Sequence, residues 1–191
     1  MKASQEEAGR AGSGGNAAAT ADTISRLVAE IRTHDWRTRE AARWELVALK
    51  EAAVAPLIDA LSDPDWHTRW EAAKALGDIA DPRAAPALVE ALRDRRFAVR
   101  WLAAEGLIAL RTACLRPLLQ DLTRNADSLW LVRGAHHILR DLSEGHLSRD
   151  VTEIVKPVLS ALEDVEPSLE APVAARAALD ALPQTRRRQR R

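Results

Sequence analysis

Apolar residues return along this chain with two nested periods. The short period is helical: Ile24, Leu27, Val28 and Ile31 fall three and four residues apart on one helix face, and Leu57, Ile58 and Leu61, then Leu88, Val89 and Leu92, repeat the pattern. Between these runs lies a second kind of segment, in which Thr68, Ala72, Ala75, Leu76 and Ile79 share a stripe roughly 100° wide on a helical wheel. The long period joins the two. Pro56, Pro86, Pro117 and Pro157 open the first kind at spacings of 30, 31 and 40, and Trp36, Trp66, Phe97 and Trp130 open the second at 30, 31 and 33. The predicted unit is helix, turn, helix, repeated about every 31 residues. Such units bury their apolar faces by stacking on their neighbours.

The first helix of each unit is termed A and the second B. A proline is tolerated in the first turn of a helix, where its missing donor would be unpaired, so the prolines are expected to begin A helices. Asp63-Pro64-Asp65 and Asp81-Pro82 are stop and cap signals around the second B helix. Residues 1–21, rich in Ala, Gly and Ser, are expected to be a disordered leader, and residues 22–142 to hold four repeats. Residues 143–183, looser in pattern and without an Arg at the repeat position, are expected to form a degenerate capping repeat. Residues 184–191 are expected to be a basic disordered tail.

Charge narrows the function classes. Lys plus Arg and Asp plus Glu are both 28, and Arg186, Arg187, Arg188, Arg190 and Arg191 crowd the end, so the body is acidic. That argues against a general nucleic-acid binder and leaves only weak, salt-sensitive contacts to the tail. The single Cys114 excludes a disulfide framework or a cysteine zinc site. No apolar run is long enough to span a bilayer and no signal-peptide core is evident, so a cytoplasmic protein without a membrane partner is expected. Nucleophile motifs and phosphate-binding glycine loops are missing, and no catalytic residue, cofactor or metal is expected.

The run Asp63-Pro64-Asp65-Trp66-His67-Thr68-Arg69, with Ala72-Ala73, Leu76-Gly77-Asp78-Ile79-Ala80-Asp81 and Ala85-Pro86-Ala87-Leu88, resembles the HEAT-like repeats first described in phycobilisome lyases. The resemblance implies an all-α fold, a right-handed α-solenoid of about five helix pairs with B helices on the concave side. It does not imply one activity, since such repeats serve as scaffolds, bilin lyases, iron hydroxylases and DNA glycosylases. The hydroxylase pattern needs His-Glu dipeptides, and this chain has none. In the family the Arg at the repeat position pairs with carboxylates at repeat junctions, which assigns Arg39, Arg69, Arg100 and Arg133 to an inter-repeat ladder, with Asp63, Asp65, Asp94 and Asp127 as available partners.

On the B wheel, Trp36, Trp44, Trp66, Trp70, Phe97, Trp101 and Trp130, with Lys74 beside them, lie opposite the core stripe. This sector is the candidate partner-binding face, with Trp66, Trp70 and Trp101 expected at its centre. Self-packing of the rings, a protein or peptide partner, and a tetrapyrrole all fit that pattern. The expected function is a non-catalytic scaffold or adaptor binding a protein or peptide; the alternative is a tetrapyrrole lyase-like or other HEAT-like enzyme. His136-His137 stand where Ala72-Ala73 and Ala103-Ala104 stand in earlier units, and are expected to be structural.

Overall fold

Asp35, Asp65 and Ser128 stand directly before three of the B segments, and each turns a side-chain oxygen onto a free backbone donor of the first turn, at Thr38, Thr68 and Leu131. These caps set where the helices begin. A computed structural model describes residues 18–183, which divide into two compact units at Asp81 and Pro82. The first holds α1 (residues 18–30), α2 (Trp36–Ala48), α3 (Glu51–Ala60) and α4 (Trp66–Ile79). The second holds α5 (Ala85–Ala91), α6 (Phe97–Ala109), α7 (Leu115–Asn125), α8 (Leu129–Ser143), α9 (Arg149–Leu162) and α10 (Pro167–Ala181). Residues 18–21, expected in the leader, are already helical; the rest of the leader and the basic tail lie outside the described residues.

In the first unit α4 packs on both α3 and α2. Thr68, Ala72, Ala75 and Leu76 are fully buried, as the stripe predicts, against a core that includes Leu46, Val54 and Leu57. Burying one such leucine contributes about 1.5 to 3 kcal/mol. In the second unit α6 packs on α5 and α8, and α5 on α7. Gly134 lets α8 come close to Leu92, because a Cβ there would meet the Leu92 Cδ2 at 3.1 Å.

Three features differ from the sequence reading. Pro86 and Pro117 do lie in first turns, but Pro56 and Pro157 sit inside α3 and α9. The residues preceding them, Glu51-Ala52-Ala53 and Glu153-Ile154-Val155, sustain a helix on their own and start it earlier. Secondly, the corners after α2 and α4, and the one after α6, pass through left-handed backbone at Lys50 (φ 49°), Ala80 (φ 54°) and Arg111 (φ 53°). None of these is a glycine. Thirdly, α9 packs beside the B helix α8, whereas α10 packs on α9 and on the A helix α7. The last pair therefore reverses the A and B places. Val165, Leu169 and Val173 of this pair are exposed among charged residues.

Candidate functional site

The repeat-position arginines are anchored by backbone. Arg39 Nη1 donates to the carbonyls of Thr33 and His34 at 3.0 and 2.9 Å, and Arg69 Nη1 to those of Asp63 and Pro64 at 2.8 and 3.1 Å. Arg100 Nη1 repeats the geometry on Asp94 and Arg95 at 2.8 and 3.3 Å. In each, the guanidinium folds back over the turn before its own helix and ties A to B within one repeat, and Arg39 Nε also reaches the Glu71 carboxylate of the next B helix at 3.4 Å. A guanidinium has donors suited to bridging two carbonyls that a turn leaves unpaired. Arg133 is not part of the series. It is exposed, one position beyond the equivalent place, which Val132 occupies, because Ser128 rather than Leu129 caps α8. The offset from α6 to α8 is thus 32, so Ala135-His136 answer Ala103-Ala104, and His137 answers Glu105.

Ionic links between elements involve Arg39 and several further residues. Arg32 Nε lies 2.8 Å from Asp63 Oδ2, and Arg93 pairs with Asp121. Between α2 and α4 a buried cluster forms, with Arg43 Nε 2.9 Å from Glu71 Oε2, Arg39 Nε 3.4 Å from Glu71 Oε1 and Arg43 Nη1 3.5 Å from Asp78 Oδ2. Burial holds the Glu71 carboxyl above its ordinary value, outweighing the opposite pull of Arg43 and Arg39. A carboxylate at this place is peculiar to α4, since Ala41, Leu102 and Gly134 fill it in α2, α6 and α8.

The aromatics divide by exposure. In the first unit Trp36 and Trp44 are exposed, with the Arg37 and Arg43 guanidiniums 5.3 and 4.6 Å from their ring centres. Trp66 and Trp70 are half-buried, with the Trp66 ring 3.8 Å from that of His67. Lys74 is engaged by Asp78 at 2.7 Å. In the second unit Phe97, Trp101 and Trp130 are all exposed and belong to one connected set. Phe97 and Trp101 lie 6.2 Å apart, Trp101 stacks on His137 at 5.2 Å, and the Arg100 guanidinium sits 3.8 Å over Trp130 and 5.7 Å from Phe97. His137 was not foreseen here; the helical offset of 32 places it beside α6.

The histidines do not converge on one point. His136 lies 2.9 Å from Glu163, His137 3.4 Å from Glu105, and His146 3.7 Å from Asp141. Cys114 is buried, donates to the Arg111 carbonyl at 3.0 Å, and has its thiol pushed up to about 12 by burial, so it is no nucleophile at neutral pH. No helix among the described residues is long and apolar enough to cross a membrane.

A family model of HEAT repeats matches residues 24–108 and again residues 54–140. Comparison with curated proteins finds no match. Among solved structures, a chain of the complex of CpcE and CpcF of phycocyanin lyase from Nostoc sp. PCC7120 is 24% identical, with 83% of this chain and 98% of that chain covered and a TM-score of 0.53. An engineered protein is 21% identical over 83% and 78% of the two chains, with a TM-score of 0.46. The repeated helix pairs, the all-helical α-solenoid architecture and a family match running across most of the described helices agree, and the chain belongs to the HEAT repeat family.

Proposed function

We propose that this HEAT-repeat protein is a non-catalytic scaffold or adaptor that binds a protein or peptide through the aromatic face of its B helices. The observation that carries this reading is the exposure of Phe97, Trp101 and Trp130 as a connected set. Large rings left in water are uncommon on a soluble surface without a use, and they anchor binding hot spots. Each ring is also steadied in advance, Trp101 by His137 and Trp130 by Arg100. Little side-chain order is then lost on binding. Trp36 and Trp44 offer a comparable surface on α2.

Chromophore-lyase chemistry is the rival reading. Its support is likeness of fold to CpcE and CpcF, and fold alone does not carry an activity. A phycobilin added to the protein should leave its absorbance spectrum unchanged; a shifted or covalently retained spectrum would replace the scaffold reading with the lyase one.

The scaffold reading is tested by separating binding from folding. Trp101→Ala should weaken binding of a selected peptide by about 2 kcal/mol or more, while changing stability by about 1 kcal/mol or less, as at sites outside a core. Leu107→Ala, at a fully buried position, should instead lose roughly 2 to 5 kcal/mol of stability. If Trp101→Ala destabilises the fold as much as Leu107→Ala, the rings belong to the protein's own packing and the reading is wrong.

A further inference from the structure

The aromatic set on α6 and α8 has an asymmetric electrostatic frame. Its apolar centre is Phe97, Trp101 and Trp130, with exposed Leu129 beside them. At one end Arg95 and Arg96, both exposed, occupy the turn leading into Phe97. Exposed Arg133 sits at the place on α8 that Trp101 occupies on the adjoining α6. Arg100 lies between Phe97 and Trp130, and its hydrogen bonds to two carbonyls leave it with its charge. Against these four guanidiniums stand two carboxylates: Asp94, whose Oδ1 accepts the Arg96 backbone N–H at 2.7 Å, and exposed Asp127. At the other end the carboxylates that would attract a cation, Glu105 and Glu163, each lie against a histidine, His137 and His136. The chain as a whole has no net charge, so this excess of positive charge is local.

Resting on the reading that this face binds a peptide, we infer that its partner is an acidic segment carrying apolar side chains, in which Asp or Glu residues flank Phe, Trp or Leu. The apolar residues of such a segment cover the rings, and its carboxylates meet Arg95 and Arg133. Arginine suits that role because its planar fork holds a carboxylate through two donors while its stem lies along apolar surface. A basic segment would set like charges against one another at the rim and be rejected. Binding is steered by charge and weakens as salt rises.

The test is selection from a random peptide display library on the full chain, followed by resynthesis of the enriched peptides and titration by fluorescence anisotropy. Enriched peptides should combine Asp or Glu with aromatic residues or Leu. They should lose at least tenfold in affinity on Arg95→Glu/Arg133→Glu, two exposed sites whose change leaves the helical circular dichroism intact. They should lose at least as much on Trp101→Ala. Basic or uncharged peptides that still depend on Trp101 would overturn the acidic partner while leaving the peptide-binding face in place. Acidic peptides indifferent to Arg95→Glu/Arg133→Glu are bound elsewhere, the Arg-rich tail included, and would overturn it as well. A selection that yields nothing dependent on Phe97 or Trp101 would remove both the inference and the reading beneath it.

Discussion

The Arg43–Glu71 pair on α2 and α4 offers the sharpest test of how the first unit holds together. Both side chains are nearly out of water, at 5% and 4% exposure, with Nε and Oε2 2.9 Å apart. Removing one partner of a buried pair leaves an uncompensated charge and costs about 3 to 5 kcal/mol. Glu71→Leu should fall near the lower end, about 3 kcal/mol, for a visible reason. Arg43 keeps Asp78 at 3.5 Å and Glu40 at 3.8 Å, both longer than a good hydrogen bond but close enough to share charge, and Arg39 keeps its two carbonyls. Arg43→Met should lose a similar amount, because it leaves Glu71 with Arg39 alone at 3.4 Å. The double variant Arg43→Met/Glu71→Leu replaces both charges by apolar groups of similar volume, and should be destabilised by no more than about 1 kcal/mol, since such exchanges are often neutral. The assay is urea unfolding at pH 7 followed by circular dichroism at 222 nm, with the slope compared across variants so that the midpoint reports stability alone. Strict additivity of the two single changes, or a loss below about 1 kcal/mol for Glu71→Leu, would show that the pair is not the coupled, desolvated unit described.

Ala80 occupies left-handed backbone, which costs a non-glycine residue roughly 1 kcal/mol or more. Ala80→Gly should therefore raise the melting temperature by a few degrees, read by thermal unfolding, and a lowered value would contradict the strain. Asp35 accepts the Thr38 hydroxyl and backbone N–H at 2.6 and 3.1 Å, and those bonds hold its carboxyl below the usual aspartate value. Its contribution is then present above the ordinary aspartate range and lost as pH falls through its lowered folded value, so the stability gap between the natural chain and Asp35→Ala should be open at pH 7 and close in acid. Iodoacetamide should leave Cys114 unmodified in the folded protein and alkylate it in urea; fast labelling of the native chain would contradict its burial and its raised thiol value of about 12.

Much of the architecture is written in residue periodicity. The spacing of apolar positions, the capping residues Asp35 and Asp65, and the recurrence of Trp-x-x-Arg are local properties, and a repeat protein reads well because each unit meets only its neighbours. The core stripe of α4 and the exposed rings of α6 follow directly from that pattern. The partners of the polar residues do not. Arg39, Arg69 and Arg100 recur on schedule, yet only folded turns show that two carbonyls of the preceding turn stand within reach of each guanidinium. Whether Glu71 faces water or Arg43 depends on how closely α2 and α4 approach, and a helical wheel carries no such distance. A one-residue change in where α8 begins moves Arg133 off the series and sets His137 against Trp101, and each further residue turns a helix by about 100°. The reversed terminal pair lies furthest beyond sequence. Apolar positions in α9 and α10 indicate which faces are buried, but that α9 lies against α8 and α10 against α7 is a choice between helices distant in sequence, which only tertiary packing makes.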